Sequence, residues 1–240
     1  MDPNDNVAPF EADAAKGGGY VYTTSERLSS RLATQRTTDI ILERGAFSGR
    51  SVLDVGCGDG HFTMKWWDQG QPKRLAGMDA AKSAIDAANA KKGARNIEFT
   101  VGDAHKLPWA DNSFDLVLLQ SVLHHDDDPG DMIREAFRVA PEVLIHEPNG
   151  NNLALKVIER VSKYHREHKE RSYWWWQFNR WVKKAGGRIV FRRYAGFVPM
   201  FCSDGMAKFT KQIEPMLEHM PVLNAMGCAI VLIHAVRPKS

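Results

Sequence analysis

The sequence is poor in cysteine and has no long hydrophobic run. Its three cysteines are Cys57, Cys202 and Cys228, and their odd number and wide spacing fit neither a disulfide framework nor a zinc site, so we expect thiols. No apolar stretch approaches the roughly 20 residues that a membrane-spanning helix needs. The start of the chain, MDPNDNVAPFEADAAKGGGY, is acidic and polar where a secretory signal would be basic and then apolar. These absences predict a cytoplasmic protein.

The chain also lacks a large net charge. Its 32 Lys and Arg stand against 29 Asp and Glu, for a formal charge of +3, which disfavours nucleic acid as a partner. With 43% hydrophobic and 25% charged residues, the composition is that of a globular protein. The positive charge is nevertheless concentrated, because twelve Lys or Arg and only three Glu lie from Lys156 to Arg193.

Strand and helix patterns alternate between residues 50 and 150. The strand-like runs are RSVLDVG, RLAGMDA, NIEFTVGDA, FDLVLLQSVL and EVLIHEPN, and helical segments separate them. Such alternation predicts an α/β fold in which a mostly parallel sheet carries helices on both faces. We expect a mobile N-terminal arm at residues 1–19 and a single domain at residues 20–240, a size that suits one large α/β domain.

Within that domain, residues 151–188 are predicted to be a basic, aromatic and helical segment on the substrate side. The helix from Leu153 is expected to turn three residues inward: Val157, Val161 and Tyr164. The helix in SYWWWQFNRWVKK is expected to bury a stripe of Trp174, Phe178 and Trp181. Trp176 falls on a different face, where an aromatic and cationic surface would suit an anionic or aromatic molecule or a membrane surface. The alternative is a solvated charged face.

The stretch LDVGCGDG, residues 53–60, follows the first strand. Gly56, Gly58 and Gly60 allow a sharp turn and a close approach of backbone to ligand, at the sheet edge where ligands of α/β folds bind. Asp54 and Asp59 flank these glycines. Because backbone donors at such a turn already favour an anion, added carboxylates indicate instead a ligand with cationic character or with many hydroxyl and amino donors.

Acidic residues also end the next two strands. Asp79 lies nineteen residues beyond Gly60, where an acid commonly accepts hydrogen bonds from ribose hydroxyls. Asp103 could accept a hydrogen bond from an adenine amine. Together these acids fit a nucleoside with no phosphate and a positively charged tail, a description that S-adenosylmethionine meets.

Four motifs in order resemble the class I S-adenosylmethionine-dependent methyltransferases, in the methyltransferase-11-like branch. They are VLDVGCGDG, GMDA, VGDAHKLPWADNSFDLVLLQSVLHH and EPN, and the resemblance covers about residues 28–150. It implies a Rossmann-like, seven-stranded, mostly parallel sheet in the order 3-2-1-4-5-7-6. It also implies that Asp79 binds the ribose, that Asp103 and Ala104 lie near the adenine, and that Gln120 and the glycine loop contact the methionine moiety.

The implied reaction is methyl transfer to a small-molecule, sugar or lipid-linked acceptor, with S-adenosyl-L-homocysteine as the product. His125 and Glu147 lie at the sheet edge where a base would act, and both have structural alternatives. We expect no metal site, because the adjacent His124 and His125 would rarely direct both side chains to one ion. Tyr20 and Arg27 are expected to close over the cofactor, Arg27 pairing with its carboxylate.

Two other functions stay open. A nicotinamide-dependent oxidoreductase is disfavoured, because the loop reads G-x-G-x-G rather than G-x-G-x-x-G and no substrate domain is left over. A non-catalytic module that binds the cofactor is the other alternative. No sequence feature indicates an oligomeric state.

Overall fold

A computed structural model of the chain describes Glu11 and residues 25–162, 170–200 and 202–238. These residues form seven strands: β1 (Ser51–Val55), β2 (Arg74–Asp79), β3 (Ile97–Val101), β4 (Leu116–Gln120), β5 (Glu142–Pro148), β6 (Arg188–Ala195) and β7 (Ile230–Val236). They also form eight α-helices: α1 (Leu28–Gly45), α2 (His61–Gly70), α3 (Lys82–Lys91), α4 (Pro129–Val139), α5 (Leu153–Val161), α6 (Trp175–Lys184), α7 (Asp204–His219) and α8 (Leu223–Gly227). A 3-10 turn spans Leu123–His125. Apart from Glu11, the predicted arm at residues 1–19 lies outside the described residues.

The strands form one sheet in the order β3-β2-β1-β4-β5-β7-β6. Strands β1 to β5 pair in parallel, and β7 runs antiparallel to both β5 and β6. Buried apolar strands such as β4, whose five residues are all buried, account for the parallel arrangement, because helices must cover both faces. The predicted sheet order is therefore confirmed.

Alternating side chains divide the core between the two faces of the sheet. Leu53 and Val55 of β1 belong to one apolar cluster, which contains the buried residues of α4 and α6. Val52 belongs to the other cluster, which contains the buried residues of α1 and α2. Since successive strand residues point to opposite faces, Asp54 lies on the same face as Val52. The same parity places Gln120 and His146 on this face too, because Leu118 and Leu144 of their strands belong to the cluster with α1 and α2.

The prediction that α5 turns Val157 and Val161 inward is wrong. These side chains are 59% and 67% exposed, and Tyr164 lies outside the described residues. The reason is that α5 packs its polar side on the protein: Lys156 Nζ donates to the Ser172 carbonyl, and the Ser172 N–H donates to Glu159 Oε1 at 2.9 Å.

The buried stripe predicted for α6 is confirmed for Phe178 but not for Trp174. Phe178 is fully buried and packs edge-on against Trp181, with their ring centroids 5.6 Å apart. Trp174 precedes the helix as its N-cap and is 38% exposed, so it does not share the buried face. Trp176 is exposed, as predicted. Among the helices that the structure describes, none combines the length and the apolar character needed to cross a membrane.

Candidate functional site

The glycine loop between β1 and α2 turns tightly against β2. Gly56, Gly58 and Gly60 all have positive φ values, of 78°, 54° and 74°, a region that side chains other than glycine's rarely enter. The N–H groups of Gly56 and Cys57 both donate to the Met78 carbonyl, at 2.7 and 3.0 Å. A Cβ atom on Gly56 would lie 2.6 Å from a methyl group of Val122. The loop is therefore held by its backbone at the carboxyl edge of the sheet, as the sequence predicts.

Asp79, at the end of β2, fixes the middle of this loop. Its Oδ2 accepts a hydrogen bond from the Gly58 N–H at 2.8 Å, and its Oδ1 accepts one from the Ala81 N–H at 2.9 Å. Burial raises the pKa of Asp79 above its usual value, whereas these backbone donors lower it. Each carboxylate oxygen keeps a further acceptor site, so the side chain can hold the loop and also accept from a hydroxyl.

Asp103 and Ala104 lie just beyond the end of β3. The Asp103 Oδ1 accepts a hydrogen bond from the His105 N–H at 2.8 Å, which gives the turn its shape. The His105 ring then lies 3.0 Å from an oxygen of Asp126 and 3.2 Å from an oxygen of Asp131. This histidine joins the loop after β3 to the loop after β4, and it was not singled out from the sequence.

Asp54 is a buried carboxyl group beneath the glycine loop. It is only 2% exposed, and its Oδ2 accepts a hydrogen bond from the Thr63 hydroxyl at 2.5 Å. Its Oδ1 has no hydrogen-bond partner among the described residues. Burial raises the pKa of Asp54 to about 7, the Thr63 hydrogen bond lowers it, and the nearby Asp79 carboxylate raises it further. A buried acceptor without a donor is costly, so a ligand with an amino group or a cationic tail fits this atom.

Two more polar side chains with unpaired atoms share this face of the sheet. Gln120 and His146 are directly paired across β4 and β5. Gln120 Oε1 and both ring nitrogens of His146 are buried without a partner among the described residues. Burial lowers the pKa of His146 to about 4, so its ring is neutral near pH 7. The hydroxyl of Ser29, in the first turn of α1, is also buried without a hydrogen-bond partner among the described residues.

On the opposite face, Glu147 and His124 form a buried pair. Glu147 is fully buried, and its Oε1 accepts hydrogen bonds from the N–H groups of Val122 and Leu123 at 2.9 and 2.8 Å. Its Oε2 lies 2.6 Å from Nδ1 of His124. Glu147 is thus placed to orient the 3-10 turn and His124 rather than to meet an acceptor. His125 is partly exposed, and its ring centroid lies 3.8 Å from that of His124.

The remaining predicted residues have different surroundings. Asp59 does not turn towards a ligand, because its Oδ2 pairs with Lys91 Nζ at 2.9 Å. Arg27 is exposed at the start of α1. Tyr20 lies outside the described residues. Glu11 accepts hydrogen bonds from the N–H groups of Lys82 and Ser83, at 2.6 and 3.1 Å, and so reaches the start of α3, beside the tip of β2.

One group of side chains has the composition of a metal site. His124, His125 and Glu170 each offer a ligand atom, and these atoms lie within 4.8 Å of one another. The ligand atoms of a tetrahedral zinc ion lie about 3.4 Å apart, so this group would have to close to bind one. We assign it no role, and the absence of a metal remains a prediction.

Several residues of the site were missed in the sequence. His146 alternates with buried apolar residues of β5, a pattern that placed it on the core face but said nothing of its unpaired ring nitrogens. Thr63 and Ser29 carry no local signal, because their contacts depend on how α2 and α1 cross the sheet.

Comparison with known proteins gives a family match for part of the chain. Residues 53–142 match the protein family described as "Methyltransferase domain", and this range covers the glycine loop, β2, β3 and the turn after β4. The sheet order is the one that the sequence resemblance implied. By sequence, this part of the chain is therefore similar to a methyltransferase domain.

A curated relative matches part of the chain in sequence, and solved structures share its fold over most of its length. The demethylmenaquinone methyltransferase of Renibacterium salmoninarum is 31% identical over 141 residues, which cover 57% of this chain and 54% of that protein. A chain of the complex between the Haloferax volcanii Trm112 methyltransferase activator and a methyltransferase has a TM-score of 0.69 at 18% identity, covering 96% of this chain and 98% of that one. The magnesium protoporphyrin IX methyltransferase of Synechocystis PCC 6803, with bound SAH, has a TM-score of 0.65 at 16% identity, covering 98% and 97%.

These similarities concern the fold and part of the sequence. The two structures are so distant in sequence that they show the fold of the methyltransferase domain alone. The chain spans between about a third and about half of the length of the first curated relatives that it matches. The activity of the whole protein is therefore argued from its own site.

Proposed function

We propose that this protein is a methyltransferase that uses S-adenosyl-L-methionine to methylate a small-molecule acceptor. The observation that carries the proposal is the arrangement of acids at the first three strand tips, Asp54, Asp79 and Asp103, around a glycine loop that turns its backbone towards β2. Asp79 and Asp103 each accept a backbone hydrogen bond that shapes this edge of the sheet, whereas Asp54 keeps a buried oxygen without a partner among the described residues. This set suits a phosphate-free nucleoside with a cationic tail.

The residues present fit that cofactor. Asp79 has acceptor capacity for the ribose hydroxyls beyond its two backbone bonds. Asp103 and Ala104 would border the adenine. Asp54 and Gln120 offer unpaired oxygens to an amino group, and Arg27 is proposed to pair with the carboxylate.

When bound, the cofactor supplies a methyl group that its sulfonium charge already activates. The protein's task is then mainly to position the acceptor in line and to exclude water. A neutral His146 and the amide of Gln120 can direct an acceptor by hydrogen bonds without adding charge beside a sulfonium. We propose His125 as the group that accepts a proton where the acceptor must lose one, with His124 and Glu147 as positioning residues behind it.

The acceptor is proposed only as a class. The family relatives include enzymes named for demethylmenaquinone and for malonyl-[acyl-carrier protein], which favours a metabolite or a carrier-linked intermediate over a nucleic acid. We propose a cytoplasmic location, and the free thiols of the described cysteines support it.

The alternative of a nicotinamide-dependent oxidoreductase is weaker at this site. A dinucleotide would bring its pyrophosphate to the glycine loop, above the acidic Asp54. The test is calorimetry with S-adenosylhomocysteine and with NAD, followed by a screen of metabolite extracts with isotopically labelled donor. Binding of the first compound alone, with label transferred to an extract component, supports the proposal. Binding of NAD alone would overturn it, and a labelled donor that is bound but never consumed would indicate the non-catalytic module.

A further inference from the structure

Helix α5 is amphipathic, but its apolar side faces outward and its polar side faces the protein. Its apolar residues Leu153, Val157, Ile158 and Val161 are 41–67% exposed, while Lys156 and Glu159 face the protein and bind the backbone of Ser172. All nine residues of the helix keep some exposure to solvent. A surface helix normally does the opposite and turns its apolar stripe to the core. An apolar face held outward in this way requires a partner.

The helix is fixed in this orientation by the fold. Asn152 caps it through the N–H groups of Ala154 and Leu155, and the Asn152 amide donates to the carbonyls of Gly227 and Cys228 at 3.3 and 3.2 Å. The start of α5 is therefore tied to the end of α8, beyond the point where β5 ends and β7 begins. Exposure of the apolar face is a consequence of this attachment.

Aromatic and basic residues also lie on the exposed side of α6, the helix that follows Ser172. Trp175 and Trp176, three and four residues after Ser172, are 41% and 52% exposed. The guanidinium carbon of Arg192 lies 4.5 Å from the centroid of the Trp175 ring. Arg180 and Lys184 follow Trp176 at four-residue spacing and are exposed on the same face of α6. The stretch from Lys156 to Arg193 has twelve Lys or Arg and only three Glu. Tryptophan and basic residues beside an apolar helix face are characteristic of proteins that lie on a membrane surface.

We propose that the apolar face of α5, together with Trp175 and Trp176, docks on an anionic lipid bilayer. The charge distinguishes this partner from a second copy of the chain, because two copies of so basic a segment would repel each other, whereas anionic headgroups attract it. Helix α5 follows β5 directly in the chain, and the carboxyl end of β5 lies at the edge of the sheet that carries the site. The proposal does not depend on methyl transfer.

Cosedimentation with vesicles tests the proposal on the full chain. Vesicles of phosphatidylcholine with one-third phosphatidylglycerol are compared with pure phosphatidylcholine vesicles, and the salt dependence is measured. We expect binding to the anionic vesicles only, and weaker binding as the salt rises. The double variant Val157→Gln/Val161→Gln should lower the partition coefficient at least about tenfold. Phe209→Gln is the matched control, because Phe209 is also 59% exposed but lies on α7, and it should bind like the wild type.

Each other outcome overturns the proposal. The wild type could remain in the supernatant, or bind both kinds of vesicle equally, or the double variant could bind undiminished. Analytical ultracentrifugation covers the remaining case: a dimer that the double variant dissociates would make the face a self-interface. Calorimetry with S-adenosylhomocysteine on the same variants separates this result from the proposed function, because the cofactor should bind them all equally.

Discussion

Nδ1 of His124 lies 2.6 Å from Oε2 of Glu147, in a pair that is almost completely buried. Burial alone would lower the pKa of His124, but the Glu147 carboxylate outweighs it and raises that pKa above its usual value. Because Glu147 also accepts two backbone hydrogen bonds after β4, the pair ties the turn that carries His125 to the end of β5. The buried pair and its backbone hydrogen bonds, rather than the residues of the turn itself, therefore position the 3-10 turn.

Glu147→Gln should destabilise the protein by about 2–3 kcal/mol, because it weakens a buried charged pair and two hydrogen bonds. His124 has a raised pKa, so the pair's contribution is fully present below the unfolded-state pKa of histidine and is lost as the pH rises through the folded-state value. The loss should therefore be larger near about pH 5.5 than near about pH 9. Urea unfolding at both pH values measures it.

Glu142→Gln provides the control for that experiment. Glu142 also pairs with a histidine, His234, at 2.9 Å, and with Arg50 at 3.0 Å, but its side chain is 32% exposed. A partly exposed pair should contribute less than about 1 kcal/mol. Equal losses in the two variants, or a Glu147→Gln loss that does not change with pH, would contradict the account of the buried pair.

Asp54→Asn should change the pH dependence of stability. Burial raises the pKa of Asp54 to about 7, so the folded protein holds a proton that the unfolded chain releases near its ordinary pKa. The contribution of Asp54 to stability should consequently fall as the pH rises from about 4 to about 7, by an amount on the order of 3 kcal/mol, and the difference between the wild-type and Asp54→Asn stability curves measures it. The variant lacks this decline but keeps His146 and its opposite dependence. Parallel stability curves for the two proteins would refute a protonated Asp54.

Gly56→Ala should be much more harmful than Gly49→Ala. Both glycines have positive φ values, of 78° and 73°, so both variants carry a backbone cost of about 1–2 kcal/mol. Only at Gly56 would the added Cβ meet a neighbour, 2.6 Å from a methyl group of Val122, whereas no atom lies within 4 Å at Gly49. The free energy of unfolding should show the larger loss for Gly56→Ala. Similar losses would mean that the turn after β4 can move away from the loop.

His125→Ala tests the proposed base. With cofactor saturating, kcat should fall by about 10²–10⁴-fold for an acceptor that must be deprotonated, and the acidic limb of the pH profile should disappear. His105→Gln serves as a control, since His105 binds Asp126 and Asp131 beside the same loop. Undiminished turnover in His125→Ala would remove His125 as a base and leave positioning as the source of catalysis.

The order of strands and the place of the cofactor loop could be predicted from sequence, because strand parity, glycine spacing and acids at strand ends are local signals. The face of α5 could not, since its outward orientation depends on Ser172 and on the end of α8, far along the chain. The role of Glu147 was equally hidden: an acid at a strand end looks the same whether it meets solvent or two buried amides. The local sequence pattern predicts which residues share a face of a helix or strand. It does not predict which face packs against the rest of the protein.

Calorimetric titration with S-adenosylhomocysteine tests the central claim most directly, in the wild type, in Asp79→Ala and in the control Asp86→Asn. Asp86 is 63% exposed and pairs with Lys82 at the surface of α3. The wild type and Asp86→Asn should bind equally, and Asp79→Ala should bind more weakly by about 1–3 kcal/mol. Unchanged binding in Asp79→Ala, or no binding to the wild type, would contradict a nucleoside held at the tip of β2.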